Sequence, residues 1–99
     1  MVNKEEAKKY LSDCPEQNSF WVNDGNVLKN LDQLMDELKH INDVTFHYHV
    51  NENKNDFSNW INDIIGDHYL AKELHQAKTK SSALKKLKER LSSLKKRAM

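Results

Sequence analysis

The residues best suited to chemistry gather in the middle of the chain, where histidine, asparagine and aspartate lie close together. The members of this polar cluster are His47, His49, Asn51, Asn55 and Asp56. His49 and Asp56 suggest a general acid and base pair, because a carboxylate can orient an imidazole that titrates near neutral pH. No obvious nucleophile accompanies them, since Ser58 is predicted within a helix and Cys14 in a distant loop. A small enzyme is therefore the least favoured of three functional readings.

Metal binding is the second chemistry that the five histidines suggest. His47 and His49 would share a face on a strand, but on a helix they point in nearly opposite directions. His68 and His75 are seven residues apart, too far to chelate one ion from a single helix. Phosphate-loop and dinucleotide signatures are absent from a chain with only two glycines. We predict no metal and no cofactor.

A structural role explains the same side chains. Asp56 stands where an N-cap residue is expected at the start of a helix. The side chain of His49 is predicted to bond to a helix end, and Phe46, Phe57 and Trp60 are predicted to be buried together. On this interpretation the polar cluster satisfies the buried backbone of a small fold, as enclosed polar groups generally do.

Charge is divided unevenly along the chain, although the net charge is only +1. Residues 13–67 carry eleven acidic and three basic residues, a balance of −8. Residues 68–99 carry ten basic and two acidic residues, a balance of +8, and residues 1–12 contribute the remaining +1. Such an asymmetry indicates either a basic tail for an anionic partner or a basic helix that lies on its own acidic body.

The last segment, residues 80–99, is predicted to be a basic amphipathic helix that begins near Ser81 or Ser82. Its leucines are spaced by three and four residues, as in a short a/d seam. These leucines are Leu84, Leu87, Leu91 and Leu94. They either complete the core or form a seam for a protein partner or a second copy. The candidates for binding nucleic-acid phosphates are Lys85, Lys88, Arg90, Lys95, Lys96 and Arg97.

The elements that position these residues begin with a short helix over residues 3–11. A β-hairpin over residues 20–28 follows, because aromatic and β-branched residues flank Asp24-Gly25, which tolerates positive φ. A helix over residues 31–41 comes next. It begins with a variant of the capping box, in which Asn30 is the N-cap and a glutamine stands three residues later.

Residues 43–50 favour two structures at once. Their valine, threonine and aromatic side chains favour a strand, whereas Asp43 is a good N-cap and favours a short helix, which we prefer. A helix over residues 57–65 is predicted to end at Gly66, a residue typical of helix C-termini. Asp67 is then predicted to cap the next helix.

Five short motifs occur in a fixed order over residues 20–77. They are Phe20 to Gly25, Asn30 to Leu38, Phe46 with His49-Val50-Asn51, Asn55-Asp56-Phe57 with Trp60, and Gly66-Asp67 with Leu70-Ala71. In this order they resemble a small prokaryotic domain family of unknown function. The resemblance implies a helical domain with one hairpin, supports a helix at residues 43–50, and implies no activity, cofactor or partner. The N-terminal and basic C-terminal helices lie outside it.

These observations predict one domain over residues 1–99, mainly α (α+β), with four or five short helices, one hairpin near the N-terminus and a basic C-terminal helix. No apolar run approaches the roughly 20 residues that span a bilayer, so we predict no membrane association and a cytoplasmic location. Cys14 is expected to be an ordinary thiol. The predicted function is a non-enzymatic protein-interaction module; the alternative is a nucleic-acid-binding protein.

Overall fold

The computed structural model of the protein describes residues 2–99 and confirms the predicted fold class, a mainly helical domain with a hairpin near the N-terminus. The elements are α1 (Lys4–Leu11), β1 (Phe20–Trp21), β2 (Val27–Leu28), α2 (Leu31–His40), α3 (Asp43–His49), α4 (Asp56–Trp60), α5 (His68–His75) and α6 (Lys80–Ala98). A short 3-10 helix, Glu16–Asn18, precedes β1, and a π-helical turn, Ile61–Ile65, extends α4.

The hairpin forms at the predicted turn. Phe20 pairs with Leu28 and Trp21 with Val27 in antiparallel register. Gly25 has a φ of 102°, which only glycine adopts without strain, and this conformation lets the chain reverse. Since side chains alternate along a strand, Phe20 and Leu28 enter the core while Trp21 and Val27 face outward.

The cap of α2 also follows the prediction, except that the glutamine side chain bonds to the residue before the N-cap. The Asn30 side chain accepts a hydrogen bond from the Gln33 N–H at 2.8 Å. The Gln33 side chain reaches back to the N–H of Lys29, at 2.7 Å, instead of the N–H of the N-cap itself. Both bonds satisfy donors near the start of the helix that would otherwise lack partners.

The helical interpretation of residues 43–50 is correct, but Asp43 is not the N-cap. Asn42 fills that position, and its side chain accepts a hydrogen bond from the Thr45 N–H at 2.7 Å. Helical spacing turns Phe46 and His49 inward, because residues three apart share a face. The strand propensity of this segment is thus overridden by its cap and its buried face.

The predicted cap of α4 is wrong by one residue. Asn55 has the extended backbone of an N-cap and accepts a hydrogen bond from the Ser58 N–H at 3.0 Å, so Asp56 is the first helical residue. The amide group of Asn55 also donates to the Leu74 carbonyl at 2.9 Å. A carboxylate could not make this second bond, because it has no proton to donate. Gly66, at a φ of 90°, ends the π-helical turn as predicted.

Helix α6 completes the core. It starts at Lys80 with Thr79 as N-cap, slightly before the predicted serines, and packs against α1, α2 and α5. Its leucines Leu87, Leu91 and Leu94 are buried, and Leu84 is half-buried. The predicted cluster of Phe46, Phe57 and Trp60 is also buried. The hydrophobic core therefore contains residues from both ends of the chain.

Candidate functional site

The His49 imidazole has both ring nitrogens occupied. Its Nε2 accepts a hydrogen bond from the backbone N–H of Asn23 at 3.0 Å. Because Nε2 accepts, the proton lies on Nδ1, which donates to Asp56 Oδ2 at 2.9 Å. The side chain is only 4% exposed. A catalytic acid or base needs a nitrogen within reach of a substrate proton, and this imidazole offers none.

Aromatic rings enclose the same imidazole. Its centroid lies 5.1 Å from that of Phe20, 5.3 Å from Phe57 and 5.0 Å from Tyr48. These rings come from β1, α4 and α3, so His49 joins the hairpin turn to two helices. The geometry is that of a structural cross-link within the core.

Asp56 is held in its charged form by its neighbours. Burial alone would raise the pKa of Asp56, but hydrogen bonds from His49 and from the Lys54 ammonium, at 2.9 Å, outweigh burial and bring the pKa below its ordinary value. Lys54 also lies over the Tyr48 ring, 4.7 Å from its centroid. The carboxylate therefore anchors one imidazole and one ammonium.

The remaining members of the polar cluster do not converge with His49. His47 is exposed, and its Nδ1 lies 3.2 Å from the Val50 carbonyl oxygen. The Asn51 side chain donates to the His47 carbonyl at 3.3 Å, which terminates α3.

Within residues 2–99, no group of three or more histidine, cysteine, aspartate or glutamate side chains could hold a metal ion. The described part of the chain also contains no helix that is long and apolar enough to span a membrane.

The most deeply buried charge is Asp67, which is 1% exposed. As predicted, it caps α5 by accepting from the Leu70 N–H at 3.2 Å. Arg90, a predicted phosphate contact, donates from Nε and one terminal nitrogen to the two Asp67 oxygens, both at 2.8 Å. The Arg90 guanidinium also lies 4.7 Å from the centre of the Tyr69 ring. Its charge is thus already neutralised within the fold.

Other basic residues of α6 divide into paired and unpaired groups. Lys95 donates to Asp32 at 2.8 Å, and Arg97 donates to the Val2 carbonyl at 3.2 Å. Of the six candidates, the exposed lysines that form no salt bridge within residues 2–99 are Lys85, Lys88 and Lys96. Arg97 also keeps a free charge, because its acceptor is an uncharged carbonyl, so four of the six candidates have no carboxylate partner within residues 2–99.

An exposed apolar pair on the hairpin was missed by the sequence reasoning. Trp21 is 72% exposed and lies directly across from the exposed Val27, and we call this pair the hairpin face. Strand alternation was the available signal: once Phe20 and Val22 point inward, Trp21 must point outward.

An acidic groove beside the hairpin face was also missed. It has a volume of about 430 Å³, and its lining includes Asn26, Val27, Asp36, Glu37 and His40. We call it the α2 groove. Its two carboxylates come from α2, and its apolar wall comes from β2, which leads directly into that helix.

Glu37 is the unusual member of the α2 groove. It is 6% exposed; its Oε1 accepts from the Asn26 side chain at 2.7 Å, and its Oε2 meets no donor within residues 2–99. Burial, followed by the adjacent Asp24 carboxyl, raises the pKa of Glu37. The adjacent Glu37 carboxyl in turn lowers the pKa of Asp24, so of these two groups Glu37 binds a proton more readily.

Comparison with known proteins shows the family. The chain belongs to a family of unknown function (DUF5752), whose match covers residues 16–95. No curated protein and no solved structure matches the chain. The match reaches beyond residues 20–77 and includes most of α6, which corrects the expectation that the C-terminal helix lies outside the resemblance. The helix belongs to the family domain because its leucines fill the core of that domain.

Proposed function

We propose that this member of the family is a non-enzymatic protein-interaction module that docks through the hairpin face. One observation carries the proposal: Trp21, the larger member of the pair, is 72% exposed on the hairpin. Tryptophan is usually well buried in folded domains and is enriched among the residues that dominate binding energy at interfaces.

The environment of the hairpin face favours a partner of particular chemistry. Val27 belongs both to the hairpin face and to the lining of the acidic α2 groove. A partner that covers Trp21 therefore brings its neighbouring side chains against carboxylates. The partner we propose is a protein segment with an apolar anchor and a positive charge, since complementary charge favours association and register.

The geometry of His49 supports a non-enzymatic role. The pair that resembles a general acid and base is used to hold Asn23, α3 and α4 together. The cytoplasmic location and the use of Leu84, Leu87, Leu91 and Leu94 as a partner seam stay predictions. Since three of these leucines are buried, such a seam would require α6 to leave the core.

Nucleic-acid binding is the second candidate function, supported by Lys85, Lys88 and Lys96. Their spacing of three and eight residues places them along one outward stripe of α6. Three phosphate contacts would give weak, sequence-independent binding that falls steeply with salt. The pairing of Arg90 and Lys95 with carboxylates within the fold disfavours a larger footprint.

A selection experiment tests the docking proposal. A displayed library of random peptides would be selected on the wild-type protein and on Trp21→Ser, with Tyr69→Ser as a matched control, because Tyr69 is also aromatic and 60% exposed. We expect enriched peptides to combine an apolar and a basic residue. Their affinity should fall about thirtyfold in Trp21→Ser, the size of an interface hot spot, and remain unchanged in Tyr69→Ser. Equal binding to both variants, or no enrichment at all, would refute the proposal.

A further inference from the structure

The α2 groove contains a carboxylate that lacks a donor. Glu37 Oε2 is enclosed by protein yet meets no hydrogen-bond donor within residues 2–99. Its other oxygen is satisfied by the Asn26 amide at 2.7 Å. A buried polar atom without a partner is costly, so either a proton or a cationic donor must satisfy this oxygen.

Charged and titratable groups near Glu37 lie in the hairpin turn, on α2 and on α3. Asp24 faces it from the hairpin turn, and Asp36 and His40 line the groove from α2. His49, on α3, acts on Asp24 from the other side of the turn. The acidic groups outnumber the histidine that borders the groove, so the groove attracts a cation.

Asp24 lies beside Glu37, in the exposed hairpin turn. It is itself exposed, whereas Glu37 is buried in the middle of α2. Asp24 Oδ1 accepts a hydrogen bond from the Asn26 N–H at 2.9 Å, so the turn itself holds this carboxylate. Asp24 therefore adds a negative charge close to the buried carboxylate of Glu37.

We propose that the α2 groove is a subsite for an arginine side chain of the partner, whose guanidinium supplies the donor that Glu37 Oε2 lacks. The inference rests on the proposed function, because it names the charged residue that accompanies the apolar anchor. Arginine fits better than lysine because its planar fork donates to two carboxylates at once. On binding to protonated Glu37, the carboxyl O–H bond breaks and the proton passes to water; no other covalent bond changes.

This exchange makes binding depend on pH in a defined direction. Below the pKa of Glu37 a proton competes with the guanidinium, so affinity should increase about tenfold for each pH unit until Glu37 is ionised. Protonation of His40 would add a positive charge beside the groove and act in the same direction. A variant without His40 separates the two contributions.

The test uses N-acetyl-arginine amide as the probe and N-acetyl-citrulline amide as its neutral control. Binding would be followed by the NMR shifts of the Asn26 and Val27 amides at about pH 5 and about pH 7.5. We expect binding of the arginine probe only, strengthened at the higher pH. Glu37→Gln should abolish the increase in affinity with pH and weaken binding at the higher pH. His40→Gln should retain most of the increase in affinity.

A second variant tests the inference even if Glu37→Gln does not fold. Asp24→Asn removes one carboxylate from an exposed turn and should also weaken binding of the arginine probe at the higher pH. Equal binding of the arginine and citrulline probes, or an affinity that falls as pH rises, would overturn the inference. The probe does not use Trp21, so Trp21→Ser should bind it normally. If selected peptides bind the hairpin face but tolerate citrulline in place of arginine, the groove inference fails and the proposed function stands.

Discussion

The guanidinium of Arg90 holds both carboxylate oxygens of Asp67 at 2.8 Å, and through them it joins α6 to the first turn of α5. Asp67 is 1% exposed, and it uses one of those oxygens to cap the Leu70 N–H as well. A buried carboxylate is tolerated only when it is paired and hydrogen-bonded, and both conditions are met. A residue that looked like part of a phosphate-binding surface is thus a structural contact.

The substitution Arg90→Leu should lower the free energy of unfolding by about 3–5 kcal/mol, because it leaves the Asp67 charge buried without its partner. Urea denaturation would measure the change. Arg97→Leu is the matched control: Arg97 is exposed and, within residues 2–99, its side chain hydrogen-bonds only to the Val2 carbonyl, so its loss should cost less than about 0.5 kcal/mol. Equal effects of the two variants would contradict this account of Arg90.

Leu87→Ala should cost about 2–5 kcal/mol, since Leu87 is fully buried between α6 and its neighbours. Lys85→Ala, on the exposed face of the same helix, should change stability by less than about 0.5 kcal/mol. Thermal unfolding of both variants would compare them. An unchanged melting temperature for Leu87→Ala would mean that the leucine seam of α6 is free for a partner.

Asn55→Ala should cost about 1–3 kcal/mol, which is the sum of a lost helix cap and a lost hydrogen bond to the Leu74 carbonyl, which keeps its bond from the Ala77 N–H. Asn59→Ala replaces an exposed asparagine in the same helix and should be nearly neutral. The denaturant midpoints of the two variants would show the difference in their stability. A small effect at Asn55 would mean that Asp56 serves as the cap after all.

Glu37→Gln should stabilise the protein by about 1 kcal/mol at neutral pH, because the amide keeps an acceptor for Asn26 and supplies the missing donor towards Asp24. The pKa of Glu37 is raised in the folded state, so its contribution to stability is fully present below the unfolded pKa and is lost as pH rises through the folded pKa. The advantage of the variant should therefore disappear in acid. Melting temperatures of the wild type and the variant across this pH range would measure the difference. A stability advantage of Glu37→Gln that grows in acid would contradict the raised pKa of Glu37.

Duplex DNA and single-stranded RNA should bind weakly at low salt and not measurably at physiological salt. If the lysines of the outward stripe supply the three phosphate contacts, the slope of log affinity against log salt should be no steeper than about −3. Fluorescence anisotropy of the wild type and of a variant with Lys85, Lys88 and Lys96 changed to glutamine would measure it. Micromolar affinity at physiological salt, lost in the triple variant, would make nucleic-acid binding the leading function.

Local sequence determined most of the secondary structure. The Asp24-Gly25 pair specifies the hairpin turn, and apolar spacing specifies α2, because turn chemistry and helical periodicity act over a few residues. Gly66 and Asp67 were correctly predicted for the same reason. The two misplaced caps, at Asn42 and Asn55, each lie one residue before an aspartate that is also a good cap, and propensity alone does not distinguish such neighbours.

Tertiary structure alone decided what the polar side chains do. His49 bonds to Asn23, which is 26 residues away, and Arg90 bonds to Asp67 at a separation of 23 residues. Periodicity shows which side of an element is buried, but it contains no information about the groups that this side will meet. The same limit concealed the groove around Glu37, since a carboxylate on a predicted helix becomes unusual only when the hairpin turn is packed against it.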